Sequence, residues 1–407
     1  MPSTQHNLSR RGFLRGGTLA LSAAAVPHLP VGSGIASRLS HEVSPSAPSP
    51  IFRTLGRTGL KVPIVSMGVM NADNPAVVQQ SYEIGVRLFD TALSYQGGRN
   101  EEMVGSVIKR LGVRDKVIIQ TKIPVPGARS RSGGDSGSLS TAEKSARILE
   151  DFEGSLKRLQ TDYVDVLMMH QPTVSQMNDP GVVQAMGEAK KQGRARFIGV
   201  STHAAQADVL NDAARSGFYD VVLTAFNFTQ AGDQALLEAI RNAAAKGIGV
   251  IAMKTQASGR RFSGTGRVNQ TAALKWVLRH PEITTAVPGY TNFEHMKEDF
   301  SVAYALEYTD EEKKFLAERN LQADVPFCKQ CGKCEPTCPA GVDIPALMRT
   351  HMYAASYGNF YQARATLDGI EESRHLRLCR DCPRCSARCA EYIDIARNIG
   401  DLRAMYL

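Results

Sequence analysis

Eight cysteines near the C-terminus follow a single spacing that is used twice. The chain has 407 residues and no other cysteine. Each copy reads Cys-x2-Cys-x2-Cys-x3-Cys, and the copies are Cys328, Cys331, Cys334 and Cys338, and Cys379, Cys382, Cys385 and Cys389. Three thiolates spaced in this way wrap one iron–sulfur cube, whereas the fourth, after a longer gap, reaches elsewhere. The spacing therefore predicts two four-iron, four-sulfur clusters that use all eight thiolates.

The fourth cysteine of each copy completes the other cluster in two-cluster ferredoxins. By that pattern, one cluster is held by Cys328, Cys331, Cys334 and Cys389, and the other by Cys379, Cys382, Cys385 and Cys338. The residues after each copy also correspond, since Ala340-Gly341-Val342-Asp343-Ile344 is answered by Glu391-Tyr392-Ile393-Asp394-Ile395. This internal duplication predicts one integrated two-cluster unit.

Zinc binding and disulfide bonds are the two other uses of such cysteines. Zinc prefers four ligands in paired spacing to a triplet followed by one. Cysteines three positions apart in a tight turn seldom bridge each other, although an exported protein would permit disulfides. Both alternatives are therefore weaker hypotheses than two clusters.

The residues between the two cysteine motifs are rich in helix formers. Two such segments lie at 345–349 and 361–367, and Gly358 and Asn359 separate them. The region 325–407 therefore resembles the α-helical type of two-cluster ferredoxin domain, and not the compact type built on two short hairpins.

The N-terminal segment has the features of an export signal. Ser9-Arg10-Arg11-Gly12-Phe13-Leu14-Arg15 precedes a weakly apolar stretch, 16–26, which is too short to span a bilayer. A Ser- and Pro-rich run at 44–50 follows, as expected for a linker. We interpret residues 1–50 as a twin-arginine signal and linker, which predicts a periplasmic or otherwise extracytoplasmic protein without an integral membrane segment.

The formal net charge of +8 gives little support to nucleic-acid binding. Residues 1–45 carry four arginines against one glutamate, so the remainder has a formal charge of +5. Two oxidised clusters, each held by four thiolates, add about −4. The loaded protein is then close to neutral, which argues against a nucleic-acid partner.

Between residues 51 and 320, short β-branched runs alternate with longer amphipathic ones, the pattern of a parallel sheet with crossover helices. Eight strands are expected near residues 64–67, 87–91, 117–121, 163–169, 196–200, 221–226, 249–253 and 285–288. Helices are expected over stretches such as 141–159 and 234–246. Eight such units predict an α/β fold, a (β/α)8 TIM barrel over 51–320, followed by a small helical ferredoxin-like domain over 321–407.

Four polar residues follow strands two, three and four of this barrel, where its working face lies. Asp90 and Tyr95 follow the second strand, Lys122 the third and His170 the fourth. A nearby ammonium favours phenolate, so we expect Lys122 to lower the pKa of Tyr95, with Asp90 fixing the lysine and His170 orienting a substrate oxygen. Each residue alone has an ordinary structural role, and only their joint occurrence predicts general acid catalysis.

These fragments resemble the aldo-keto reductases over about 270 residues. The resemblance runs from Arg53-Thr54-Leu55-Gly56-Arg57-Thr58-Gly59-Leu60 through Gly85-Val86-Arg87-Leu88-Phe89-Asp90-Thr91-Ala92 and Gly199-Val200-Ser201 to Trp276-Val277-Leu278-Arg279-His280-Pro281 and Val287-Pro288-Gly289. It implies a TIM barrel, NADP or NAD as cofactor, a carbonyl or alcohol as small-molecule substrate, and a catalytic tetrad of Asp90, Tyr95, Lys122 and His170.

The resemblance also places the cofactor, with departures. In that family a Ser-Asn pair and a glutamine usually hold the nicotinamide amide, whereas this chain has Ser201, Thr202 and Leu223. Gly289 lies in the cofactor loop after the last strand, where no arginine answers a ribose phosphate. Lys254 and the loop 258–261 are candidates for a pyrophosphate, or equally a solvated basic loop. The choice between NADP, NAD and no nicotinamide therefore stays open.

Three functions remain in competition. The first is a carbonyl or alcohol oxidoreductase, and the second is an exported electron-transfer protein whose barrel serves as a binding scaffold for a redox partner protein. Clusters with a purely structural role are the third. The Gly- and Ser-rich stretch 127–138 after the third strand is predicted to be a loop near the substrate, with a disordered insertion as the alternative.

Overall fold

The computed structural model describes residues 49–126, 139–257, 268–318, 327–382 and 384–407. The predicted export signal, the predicted loop at 127–138 and the basic loop at 258–261 lie outside these residues. Among the described helices, none has the length and apolar character needed to cross a bilayer.

Eight parallel strands form the barrel, as predicted. In spatial order each strand pairs with its neighbours along the chain: β3 (Met67–Gly68), β4 (Leu88–Asp90), β5 (Ile118–Pro124), β6 (Val164–His170), β7 (Ala195–Thr202), β8 (Val221–Ala225), β9 (Gly249–Met253) and β10 (Ile283–Ala286). The ends of the sheet meet where the Ser66 amide donates to the Ala286 carbonyl at 2.8 Å and the Gly68 amide to the Pro288 carbonyl at 2.9 Å.

Helices cover the outside of these strands. They are α1 (Pro75–Ile84), α2 (Arg99–Leu111), α3 (Thr141–Leu159), α4 (Val174–Met177), α5 (Pro180–Lys191), α6 (Gln206–Ser216), α7 (Gln234–Ala245), α8 (Gln270–Leu278), α9 (Phe293–Ser301) and α10 (Asp310–Ala317). Their starts follow local chemistry, as in α3, where Ser140 and Glu143 form a reciprocal capping box. The largest apolar core lies between strands and helices and carries the β-branched residues of the predicted runs.

A short hairpin packs with the residues of the barrel interior. Strands β1 (Phe52–Thr54) and β2 (Lys61–Pro63) pair antiparallel. Leu55, which follows β1, and Val62, in β2, are fully buried with the interior residues of the barrel. A Cβ at Gly249 would lie only 2.6 Å from the Leu55 side chain, so this close approach requires glycine. The sequence patterns do not predict the hairpin, because its three-residue strands are too short for a readable alternation.

The C-terminal domain is helical, as predicted. It contains α11 (Ile344–His351), a π-helical turn (Met352–Ser356), α12 (Phe360–Asp368) and α13 (Ile395–Tyr406). Gly358 and Asn359 separate the second and third of these, in agreement with the predicted break. The apolar core of this domain includes Cys334 and Cys379, so the cysteine motifs and the helices form one packed unit.

This domain packs against the mouth of the barrel. The Asn359 side-chain amide donates to Asn71 Oδ1 at 2.9 Å, in the loop after β3. Tyr361 lies against Gly97, in the turn that follows Tyr95, so closely that any side chain at this glycine would collide with the Tyr361 hydroxyl. The π-helical turn therefore lies beside the ends of the strands that carry the predicted catalytic residues.

Candidate active site and cluster sites

The barrel brings three of the four predicted catalytic residues into direct contact. Asp90 ends β4, Lys122 lies in β5, and Tyr95 lies in the short helical turn Tyr95–Gly98. The Lys122 ammonium donates to Asp90 Oδ2 at 2.8 Å, to the Thr91 carbonyl at 2.7 Å and to the Tyr95 hydroxyl at 3.1 Å. All three side chains are buried, so the lysine is held in one place by a complete set of acceptors.

Burial sets the protonation states of this group. It raises the pKa of Tyr95 well above the ordinary value, and the Asp90 carboxylate raises it further. The same burial lowers the pKa of Lys122, while its ion pair with Asp90 opposes that change. The expectation of a lowered pKa for Tyr95 is therefore wrong for this structure, because burial and Asp90 outweigh the nearby Lys122 ammonium. The phenol stays protonated, which is the form that a general acid needs.

His170 stands beside Tyr95 at the end of β6. The two rings meet edge to face, with their centroids 5.9 Å apart. One ring nitrogen, Nδ1, is 3.4 Å from the Ser94 hydroxyl, and the other, Nε2, is 3.4 Å from the Gln171 side-chain amide. The fourth predicted residue thus joins the other three at the mouth of the barrel.

A cavity of about 340 Å³ opens above Asp90 and Tyr95, whereas Lys122 and His170 are not among the described residues that line it. Asp90 and Tyr95 form part of its floor, and the loop after β10 contributes Gly289. The cluster domain supplies another wall through Tyr353 and Tyr357, on the π-helical turn and just after it. Residues of both domains therefore border this cavity.

Only some of the predicted nicotinamide contacts face this cavity. Gly289 and Lys254 line it. Ser201 and Thr202 are buried in the barrel wall, where the Thr202 hydroxyl donates to the Ala204 carbonyl at 2.5 Å and the Ser201 hydroxyl lies 3.5 Å from the Met169 carbonyl. Leu223 packs in the barrel interior, at the position where the aldo-keto reductases usually have a polar glutamine.

Lys254 has surroundings that the sequence does not predict. Its backbone adopts a left-handed conformation with a φ of 57°, and its ammonium lies 4.8 and 4.7 Å from the ring centres of Tyr353 and Tyr357. Burial and the nearby Arg349 guanidinium lower the pKa of Lys254 to about 7. Instead of belonging to a solvated loop, this lysine lies between the barrel and the cluster domain.

The cysteine sulfurs lie in two groups, and the crossed ligation of two clusters stays a prediction that these groups fit. Burial raises the pKa of Cys334 to about 11, and the sulfurs that raise it further are those of Cys328, Cys389 and Cys331. Four cysteines line one small cavity at the other site, and they are Cys338, Cys379, Cys382 and Cys385. In both sets the fourth cysteine comes from the other motif. The geometry fits the crossed ligation of two clusters.

One hydrogen bond links the first cluster site to the helix beside the cavity. The Gln330 side-chain amide donates to Cys328 Sγ at 3.1 Å, and the Gln330 side-chain oxygen accepts from the Arg349 guanidinium at 3.2 Å.

Hydrogen bonds to cluster sulfurs stabilise the reduced, more negative state of a cluster. We expect Gln330→Leu to lower the reduction potential of this cluster alone, measured by redox titration with electron paramagnetic resonance. Equal shifts in both clusters, or no shift, would contradict this role.

Sequence reasoning missed the residues that the cluster domain brings to the cavity. Tyr353 and Tyr357 line the cavity above Tyr95, and Arg349 lines the small cavity that includes Cys328. His203, after β7 of the barrel, was missed as well and lines both cavities. No motif marks them, because their position depends on how the domains pack. The only available signal is the run of aromatic and basic residues between the cysteine motifs.

Comparison with known proteins agrees with this two-domain description. Residues 67–267 match the aldo/keto reductase family, and residues 297–394 match the 4Fe-4S dicluster domain. L-galactose dehydrogenase of Arabidopsis thaliana is 27% identical over 308 residues, which cover 66% of this chain and 92% of the plant protein. Versiconal hemiacetal acetate reductase of Aspergillus parasiticus is 30% identical over 199 residues, covering 42% of this chain and 57% of the fungal protein.

A solved structure has the same barrel. The holo form of aldo-keto reductase AKR11C1 from Bacillus halodurans aligns with a TM-score of 0.54 and 23% identity, over 66% of this chain and 95% of that one. At this identity the likeness concerns the fold alone. The family matches and the named relatives, and not this likeness, describe the chain as an oxidoreductase in which one region matches the aldo/keto reductase family and the next matches the 4Fe-4S dicluster domain.

Proposed function

We propose that this protein reduces a carbonyl group, or oxidises an alcohol, of a small molecule bound above Tyr95, and that its clusters transfer electrons. The observation that carries the proposal is the contact chain from Asp90 through Lys122 to Tyr95, with distances of 2.8 and 3.1 Å from the ammonium. This chain ends at a cavity that the cluster domain helps to enclose.

Each residue has a distinct task in this reaction. The Tyr95 phenol donates its proton to the substrate oxygen as the carbonyl becomes an alcohol. The Lys122 ammonium, 3.1 Å from the phenol oxygen, stabilises the phenolate that remains, and Asp90 holds the ammonium in position. His170, edge-on to the Tyr95 ring, orients the substrate oxygen. Alcohol oxidation uses the same proton path in reverse.

NADP or NAD is the proposed hydride donor, as in the resemblance to the aldo-keto reductases. The described residues fit the phosphates of such a cofactor, since Lys254 and Gly289 line the cavity. They do not fit its amide, since the hydroxyls of Ser201 and Thr202 are directed to carbonyls within the protein and Leu223 is apolar.

The position of the cluster site supports a second source of electrons. Cys328 lines a small cavity together with Lys254 and His203, and both of these basic residues also line the substrate cavity. Carbonyl reduction consumes two electrons and two protons, while an iron–sulfur cluster passes one electron at a time. Two reduced clusters together hold the two electrons, which a redox partner protein would deliver, and the two protons would come from the Tyr95 phenol and from solvent.

An electron-transfer protein with a binding barrel is the second candidate function. The observation that favours it is the poor fit of the nicotinamide amide at Leu223, Ser201 and Thr202. Calorimetric titration of the cluster-loaded protein with NADPH and NADH tests the nicotinamide route, whereas turnover measurements separate the two candidates. Calorimetry is preferable to Trp276 fluorescence, because this tryptophan packs against Phe226 and His280 and is not among the residues that line the cavity.

The deciding experiment uses protein purified without air, with its iron, sulfide and nucleotide contents measured. Aldehyde reduction is then followed with NADPH, with NADH, and with chemically reduced clusters as the only electron source. Turnover with any of these donors supports the enzyme. Reduction of the clusters without turnover of any aldehyde, ketone or alcohol supports the electron-transfer protein and contradicts the enzyme.

Export by the twin-arginine route is also part of the proposal, supported by Arg10 and Arg11 before the short apolar stretch. This route carries folded proteins, so the clusters are inserted before transport. The double change Arg10→Lys and Arg11→Lys is expected to keep the protein in the cytoplasm, measured by fractionation of the producing cells. Unchanged export of that variant would contradict the assignment.

A further inference from the structure

A glutamine lies in the interior of the barrel, below the predicted catalytic residues. Side chains alternate along β5, where Ile118 belongs to the apolar cluster of the barrel interior and Ile119 to the core between strands and helices. Gln120 and Lys122 therefore point inward with Ile118. Gln120 lies one layer deeper than Lys122, and its side chain is fully buried.

The Gln120 amide nitrogen has the Asp90 carboxylate as its hydrogen-bond partner. The two residues lie opposite each other in the register of β4 and β5, and the nitrogen donates to Asp90 Oδ1 at 2.6 Å. Two oxygens at this distance would repel each other, so the nitrogen is the atom that faces the carboxylate. Within the described part of the chain, the Gln120 side-chain oxygen has no hydrogen-bond donor.

This half-paired amide is not explained by packing. On the other side of β5, Gln120 is paired with Val166, which belongs to the apolar cluster of the barrel interior. A buried amide oxygen without a donor is unfavourable, and an apolar side chain of the same length would avoid that cost. The bond to Asp90 offsets it, because a hydrogen bond to a charged group is stronger than one between neutral groups.

The bond to Gln120 also fixes the carboxylate beside the lysine. The Lys122 ammonium is 2.8 Å from both Asp90 oxygens, and the amide adds a donor from the deeper layer. A donor to the charged form of a carboxylate stabilises that form. Burial lowers the pKa of Lys122 and Asp90 opposes this change, so the positive charge of the lysine depends on an ionised, correctly placed Asp90.

We propose that Gln120 is a positioning residue for the proton transfer at Tyr95, which it serves by holding Asp90 ionised and directed at Lys122. The ammonium is then in place when the phenolate forms. This inference rests on the proposed function, because it assigns Gln120 a part in that transfer. Gln120 is not among the residues that line the cavity above Tyr95, so it acts on the rate of the reaction and not on substrate binding.

The change Gln120→Met tests this role, because it keeps the length of the side chain and removes the amide. We expect kcat for carbonyl reduction to fall about tenfold or more while KM stays unchanged. In the Asp90→Asn background the same change should lower kcat by less than about twofold, because Gln120 acts through Asp90. Steady-state kinetics of the four cluster-loaded proteins measure both quantities.

The change Gln120→Glu adds a dependence on pH that a purely structural role would not give. The new carboxyl is buried beside a carboxylate, so it keeps its proton at neutral pH and donates it to the same Asp90 oxygen. We expect kcat close to that of the unaltered protein at neutral pH, and a growing loss relative to it as the pH rises. A Gln120→Glu variant as slow as Gln120→Met at neutral pH would contradict the proposal.

A matched control and a measurement without turnover complete the test. Gln362→Met removes another buried amide with an unpaired oxygen, in α12, and should leave kcat unchanged. Urea unfolding of the four proteins, followed by circular dichroism, should show that the losses from Gln120→Met and Asp90→Asn are not additive. Unchanged kcat in Gln120→Met, or an equal loss in the Asp90→Asn background, would overturn the positioning role. Absence of turnover in the unaltered protein would overturn the proposed function, and additive unfolding losses would then overturn the support of Asp90 by Gln120.

Discussion

Replacement of Tyr95 by phenylalanine is expected to reduce carbonyl reduction by about 10²–10⁴-fold, the usual contribution of a general acid. The ring and its contact with His170 remain, and only the hydroxyl is lost. Lys122 keeps its bonds to Asp90 and to the Thr91 carbonyl, so the fold should persist. Steady-state kinetics of both proteins, with circular dichroism to verify folding, measure the effect.

Tyr357→Phe is the matched control, because Tyr357 lines the same cavity but lies over Lys254 instead of Lys122. Its rate should stay within a few-fold of the unaltered protein, whereas a Tyr95→Phe variant with normal kcat would remove Tyr95 from the mechanism.

The pH dependence of the reaction has a definite sign. Because burial raises the pKa of Tyr95, reduction should not weaken through loss of the phenol proton at neutral pH, and alcohol oxidation should accelerate as the pH rises.

Substitution of single cysteines is expected to remove one cluster at a time, in the crossed pattern. Cys338→Ser should abolish the cluster that also uses Cys379, and Cys389→Ser the cluster that also uses Cys328. Each variant then loses about half of its iron and one of two paramagnetic signals in the reduced state. Iron analysis and electron paramagnetic resonance on protein isolated without air measure both quantities.

Double variants test the assignment of the ligands. Cys338→Ser with Cys379→Ser should lose no more iron than either alone, because both cysteines belong to one cluster. Cys338→Ser with Cys389→Ser should lose both clusters and with them the packing of the C-terminal core, which includes Cys334 and Cys379. Uncrossed ligation would give the opposite pairing, with Cys338 and Cys328 affecting the same signal.

Much of the barrel was predictable because the signals for it are local. Each buried strand is a short β-branched run, and the order of strands and helices defines a parallel sheet that closes. Asp90, Lys122 and His170 could be placed at one face for the same reason, since they follow or end consecutive strands. The two proposed cysteine sets rest on the spacing together with the pattern of two-cluster ferredoxins.

Other features depend on distant packing and left no local signal. The fit of Leu55 under Gly249 joins residues far apart in the chain. The pKa of Tyr95 depends on burial, which the sequence does not show. The nearby ammonium alone therefore predicted a shift in the wrong direction. Tyr353 and Tyr357 reach the cavity above Tyr95 only because the cluster domain packs against the barrel.

The π-helical turn at Met352–Ser356 interrupts one continuous helical segment, and the residues before and after it line different cavities. Arg349 before it points toward the sulfur-bearing site, and Tyr357 after it borders the substrate space. Eight residues of helix rise only about 12 Å, so a short helical segment separates the cluster site from the cavity above Tyr95. Deletion of one residue in the turn would rotate everything beyond it by about 100° and uncouple the two ends without removing any ligand. The number of residues in this turn is therefore constrained as well as their identity.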